Sequence, residues 1–276
     1  MWLAAAVLLA RLQCGGVSMS VDAAADRALE LHTAGATAHG VALLRSSVAR
    51  APRHFETRFR LGSLLHVSGD LDGAVASYAA AIALDAGVAV AHVNMGEAQR
   101  IRGDLGAAEI ALSAALRLGH ESAAVLNSLG LVYHYSRGRG AEARATFERA
   151  LALEPENAEV LFNLGVAHKH AGRTSDAERA FRATLAHAPG YASASLNLAA
   201  LFHENGQLAE AVKHYERTLA IPRVTIETRR MATTNTGVAL MQLGRVRDAV
   251  ERFEVSVLVC TVTFHANHAH NLTRSP

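Results

Sequence analysis

The sequence predicts an all-α fold, a solenoid of about seven helix–turn–helix repeats. Three observations carry that reading. Alanine is about a fifth of the 276 residues, while aromatic residues are 5% and prolines number five. Alanine loses no side-chain entropy in a helix, so this balance favours helices over sheets. Glycine recurs at Gly35, Gly69, Gly103, Gly138, Gly172, Gly206 and Gly244, with intervals of 34, 34, 35, 34, 34 and 38 residues. Small and large apolar residues recur at fixed distances from those glycines, and a fixed period of this length marks a repeat architecture.

Within each repeat the residue types have separate duties. A small residue seven before most of the glycines belongs to a first helix: Ala28, Gly62, Gly96, Gly130, Gly165, Ala199 and Gly237. A second small residue lies five after each glycine: Gly40, Ala74, Ala108, Ala143, Ala177, Ala211 and Ala249. Small residues facing each other allow two antiparallel helices to approach closely. The glycine between them ends the first helix, where a positive φ is costly for a residue bearing a Cβ. A large apolar residue follows four later, at Leu44, Tyr78, Leu112, Phe147, Phe181, Tyr215 and Phe253, and is expected to fill the space between one helix pair and the next. Pro52, Pro155, Pro189 and, one position early, Pro222 separate repeats, because proline cannot continue the preceding helix.

In chain order the repeats are 21–54, 55–88, 89–122, 123–157, 158–191, 192–229 and 230–263. The first is degenerate, with Arg27-Ala28 where Leu-Gly is typical. The second has Leu61-Gly62, Gly69, Ala74, Tyr78 and Ala81. The fourth has Leu129-Gly130, Tyr133, Ala143, Phe147, Ala150 and Pro155, with a one-residue insertion at Arg137-Gly138. The fifth has Leu164-Gly165, Gly172, Ala177, Phe181 and Pro189. The sixth carries four extra residues around Pro222 to Glu227. These units resemble tetratricopeptide repeats over about nine-tenths of the chain. The resemblance implies a right-handed superhelical solenoid whose first helices line a concave surface and whose second helices face outward. It also implies a protein-binding scaffold.

Composition and motifs exclude several other classes. The net charge is +2, carried by 25 Arg and only Lys169 and Lys213, with no basic stripe interleaved with aromatics, so no nucleic-acid partner is expected. Cys14 and Cys260 are too few and too far apart for a disulfide scaffold or a cysteine-rich zinc site. There is no glycine-rich phosphate loop, nucleophile elbow or paired zinc-ligand motif, and Gly138-Arg139-Gly140 falls where the repeat needs a turn. The expectation is a non-enzyme without cofactor or metal. The segments outside the array are too short for a catalytic fold.

On the first helices, one row is rich in asparagine: Asn94, Asn163, Asn197 and Asn235, with Ser128 and the adjacent Asn127 in the fourth repeat, and Asp26 and Arg60 in the first two. Asparagine is a mediocre helix former, so its recurrence calls for a reason. An amide offers a donor and an acceptor and can hold the backbone of an extended peptide whatever its sequence. The row resembles the asparagine ladder of the superhelical repeats of O-linked N-acetylglucosamine transferase, which holds peptide backbone. Asn94, Asn127, Asn163, Asn197 and Asn235 are therefore the expected peptide-binding residues. The alternative, that these amides only bond the neighbouring helix, stays open. A second row, His66, Arg100, His134, Lys169 and His203, broken at Met241, is placed by the helical angle at the groove's flank. It reads as a weakly basic strip favouring an acidic peptide, or as a solvated edge. No three consecutive repeats supply the Lys, Asn and Arg set of a chaperone-tail clamp.

The expected partner is thus a protein or peptide, an acidic one where that strip acts as a basic flank, and the expected compartment is the cytoplasm. The apolar run Trp2 to Ala10 introduces an alternative. Residues 1–20 read either as a capping helix or as a secretory signal or anchor lacking its basic region. The other alternative role is a substrate-recognition region related to a glycosyltransferase. At the far end, His265, His268 and His270 read as part of a disordered tail, 264–276, rather than a metal site, and Asn271-Leu272-Thr273 matters only in a secreted chain.

Overall fold

The computed structural model of the chain describes residues 20–254, all in helices and short connections, with no strand among them. The expectations for the apolar run before Ser20, the terminal histidines and the sequon lie outside the described residues.

The helices alternate as the repeat requires. The first helices are α1 (Val21–Thr33), α3 (Phe55–Val67), α5 (Ala89–Arg102), α7 (Ala123–Tyr135), α9 (Ala158–His170), α11 (Ala192–Glu204) and α13 (Ile226–Gln242). The second helices are α2 (Thr37–Arg50), α4 (Leu71–Ile82), α6 (Leu105–Arg117), α8 (Gly140–Leu153), α10 (Thr174–His187) and α12 (Leu208–Ala220). Residues 246–254 are again helical. The chain divides into two compact units at Arg137–Gly138.

All seven period-setting glycines sit in the left-handed region, from φ +70° at Gly172 to φ +88° at Gly103. That conformation closes each first helix. At the second repeat, Gly69 donates to the His66 carbonyl at 3.0 Å and Asp70 to the Leu65 carbonyl at 2.9 Å, satisfying carbonyls the helix end leaves open. The starts of the next helices differ. Asp70 and Asp104 accept from the amides of Gly73 and Ala107, ordinary N-caps. Arg139 and Arg173, which stand at the same point, have no capping side chain; each instead pairs at 2.7 Å with an acid three residues on, Glu142 and Asp176.

The small positions are where helices meet. A Cβ added at Gly165 would lie 2.7 Å from the Phe181 ring, at Gly62 2.7 Å from the Tyr78 ring, and at Gly96 2.7 Å from Leu112. The large residue therefore rests on the glycine of its own repeat as well as reaching the next one. Tyr78 shares a buried cluster with Ala98 of the following repeat, and Tyr215 shares one with Ala232. Both contacts matter, because a helix pair alone cannot cover its apolar face.

The sixth-repeat insertion takes a form the period did not predict. α12 stops at Ala220, Arg223 takes a left-handed φ of 59°, and α13 begins at Ile226 and runs for 17 residues. The helix thus starts four residues ahead of the boundary drawn at 230. Four residues are close to one helical turn, so the insertion lengthens α13 upstream and leaves its downstream face in place.

Candidate functional site

In the unit ending at Arg137, successive first helices touch one another: α1 meets α3, α3 meets α5, and α5 meets α7. No comparable contact joins α2 to α4 or α4 to α6. The first helices therefore form the inner side of this stack. In the other unit α11 meets α13 in the same way. The residues that the sequence assigns to binding lie on these first helices.

Asn94, Asn163, Asn197 and Asn235 are half-buried and occupy equivalent positions on α5, α9, α11 and α13. Their partners differ. The Asn94 side chain hydrogen-bonds the hydroxyl of Tyr78, a residue of the preceding repeat's second helix, and that hydroxyl also donates to Ser63 at 3.2 Å. Asn235 makes the equivalent bond to Tyr215. Burial pushes the Tyr215 phenol up to about 12, and the bond to Asn235 opposes that rise. The Asn197 amide donates to the Ser193 carbonyl at 2.9 Å, one turn back on its own helix.

This relation is written in the sequence, although it was not among the patterns that the period made obvious. Asparagine stands in the row wherever the preceding repeat has an aromatic at its large position: Tyr78 with Asn94, Phe147 with Asn163, Phe181 with Asn197, Tyr215 with Asn235. Where that position is Leu44 or Leu112, the row holds Arg60 or Ser128. An amide satisfies a tyrosine hydroxyl and can lie on the edge or face of a ring, whereas leucine offers it nothing.

Asn127 is not part of the row. It is 7% exposed and stands at the position that holds Phe59 and Phe162 in other repeats, residues packed on Tyr78 and Phe181 with ring centroids 5.8 Å apart in both pairs. One residue along a helix is a rotation of about 100°, which turns Asn127 into the stack and leaves Ser128 on the inner face. In the first two repeats the row is ionic. Arg60 donates to Asp26 at 2.9 Å across the repeat and pairs with Glu56 on its own helix.

The flank row also turns inward to its own chain. Lys169 reaches Glu204 of the next first helix at 3.0 Å, and His203 meets Gln242 of the helix after that at 2.8 Å. Arg100 pairs with Glu97 at 2.8 Å. His134 lies edge-on to Tyr135, with ring centroids 5.2 Å apart, and His66 is half-buried at the end of α3. Two of the row's permanent cations thus already face carboxylates, which weakens its reading as a basic strip. These pairs were missed because each partner comes from outside the row.

Among the described residues no group of three or more His, Cys, Asp or Glu is arranged to hold a metal ion. Among the same residues no helix is long and apolar enough to cross a membrane.

Family models of the tetratricopeptide repeat match residues 26–89, 121–190 and 170–223. Among curated protein sequences nothing matches. Solved structures do. A tetratricopeptide repeat protein from Parabacteroides merdae superposes with a TM-score of 0.69 at 16% identity, over 88% of this chain and 94% of that one. PilW, described as a widely conserved type IV pilus biogenesis factor, gives 0.64 at 22% identity, over 72% and 90%. YrrB, described as a TPR protein with an unusual peptide-binding site, gives 0.53 at 21% identity, over 67% and 95%. At these identities the likeness is one of fold.

Proposed function

Because this chain belongs to the tetratricopeptide repeat family, whose members are generally non-catalytic scaffolds for protein–protein interaction, we propose that it is a non-enzymatic scaffold that binds an extended segment of a partner protein along its first helices. The observation that carries this reading is the half-buried amides at equivalent positions of the first helices, Asn163, Asn197 and Asn235 on α9, α11 and α13 of one unit, with Asn94 on α5 of the other. Amides at this depth contact a ligand's backbone without selecting its side chains. The description of YrrB as a peptide-binding TPR protein is consistent with it.

Asn163 and Asn197 are the residues to weigh, because the large residues of the repeats before them, Phe147 and Phe181, have no hydroxyl to bond an amide. Asn94 and Asn235 are held by hydroxyls and serve the stack first. An acidic ligand is the weaker form of the proposal, since Arg100 and Lys169 are already paired with carboxylates. The tyrosine bonds also account for two members of the row without any ligand, so kinship with a glycosyltransferase's recognition repeats gains no support from them.

The test uses a peptide selected against the whole chain from a random library. Changing Asn163 and Asn197 together to Ala should weaken its binding at least tenfold while the thermal midpoint stays within a few degrees. N-methylation of the peptide backbone should reproduce the loss. If the double variant loses stability and keeps affinity, the row is structural and the proposal fails.

A further inference from the structure

A second feature lies away from the amide row, at the end of the fifth and sixth repeats. A cavity of about 430 Å³ opens between the Pro189-Gly190 connection, the end of α12 and the start of α11. Its walls are Leu185, Pro189, Ala220, Ile221 and Pro222, and its polar lining comes from Ser195, His214 and Arg217. The volume is within the range of small-molecule sites, and mostly apolar walls with a few converging polar groups are their usual make-up.

His214 is one of the polar residues at this cavity. The same position holds the small residues Ser77, Ala111, Thr146 and Ala180 in the second to fifth repeats, and Leu43 and Arg252 in the first and seventh. His214 is 9% exposed, and its buried Nδ1 has no hydrogen-bond partner. A buried polar atom left without a partner is costly. Its ring is stacked on Phe202, with centroids 5.2 Å apart and planes 29° apart. Its backbone carbonyl accepts from Ser195 at 3.2 Å and Thr218 at 3.0 Å, so both hydroxyls are engaged with the backbone. Three residues on, Arg217 is exposed at the same cavity. Its cationic neighbours are matched, Arg182 with Glu178 and Lys213 with Glu210, whereas Arg217 has no carboxylate within ion-pairing distance among the described residues.

We propose that this cavity binds a monocarboxylate carried on an apolar body, with Arg217 holding the carboxylate, His214 at its polar end, and Leu185, Pro189 and Ile221 lining the apolar part. A guanidinium presents two parallel donors to a carboxylate, and the walls exclude water from the rest of the ligand. A free short-chain acid and the C-terminal residue of a peptide share this chemistry. The proposal does not depend on the amide row.

Titration calorimetry on the full chain separates the cases. The probes are hexanoate and an N-acetylated tetrapeptide ending in leucine, each beside its neutral amide. At least one carboxylate should bind, its amide should bind at least tenfold more weakly, and the His214 ring signals in NMR should shift. Tighter binding of hexanoate assigns a free acid, and tighter binding of the tetrapeptide assigns a chain terminus. Arg217→Gln, at an exposed site, should lower affinity at least tenfold without changing helicity. Gly190→Phe should abolish binding, because Gly190 lines the cavity and a Cβ added there has no atom within 4 Å, which leaves room for the chain to start and for the ring to cover the opening. Failure of both carboxylates to bind at millimolar concentration would overturn the proposal, as would unchanged binding by the folded Arg217→Gln and Gly190→Phe proteins.

Discussion

Replacing Gly165 with alanine isolates the contact on which the repeat depends. In an open helix the change is favourable by about 0.5–1 kcal/mol, because glycine loses the most backbone entropy on folding. At Gly165 the new Cβ would sit 2.7 and 2.8 Å from two atoms of the Phe181 ring. Comfortable carbon contacts are about 3.5–4.0 Å, so the ring or the helix must give by most of an ångström. Phe181 is 0% exposed and its ring lies 5.8 Å from that of Phe162, which leaves it nowhere to turn. Overpacking of this kind costs about 1–3 kcal/mol. Gly106, near the start of α6, is the control, since a Cβ there meets nothing within 4 Å. The entropy gain is common to both sites, so the two alanine variants should differ in stability by about 1–3 kcal/mol, the overpacking cost at Gly165. Urea denaturation followed by circular dichroism gives the difference. Hydrogen exchange in α9 and α10 then shows whether the loss is local to the fifth repeat. Should Gly165→Ala stabilise the chain as much as Gly106→Ala, close approach of the helix pair does not depend on that glycine and the packing argument is wrong.

Other expectations follow from the same structure. Burial, followed in both cases by a nearby arginine, lowers the pKa of His168 and His214 below the ordinary 6.5. The unfolded chain thus binds protons more readily than the folded one just below pH 6.5; stability should be complete above that pH and fall as the pH drops through it, and a thermal midpoint unchanged between pH 7.5 and 5.5 would contradict this. Tyr215→Phe removes the hydroxyl that Asn235 bonds and should cost about 0.5–1.5 kcal/mol in urea denaturation, although Phe147 and Phe181 fill the same position elsewhere. Spectrophotometric titration should find Tyr215 still neutral at pH 11, and the Phe variant should have one fewer late-titrating tyrosine. Arg60→Met should cost no more than about 1 kcal/mol, because Asp26 and Glu56 are well hydrated; a larger loss, measured in both low and high salt, would mean that this ionic part of the row holds the first repeats together.

The amino-acid sequence alone determined the repeat. Turn glycines, small contact positions and large fillers are local requirements that every unit must meet, so they recur and can be counted, and Gly35 through Gly244 all adopt the left-handed turn that their spacing required. Tertiary structure decided what each inner side chain touches. Asn94 and Asn235 find tyrosines of the preceding repeat, Lys169 and His203 find the next first helix, and Asn127 turns inward although it neighbours the row. It also decided that four inserted residues become a turn of α13, and that His214 lines a cavity. The physical reason is that periodicity specifies the contacts all repeats share. A hydrogen bond or ion pair between repeats depends on the one residue that a neighbour brings within about 3 Å, and only the packed helices fix which residue that is.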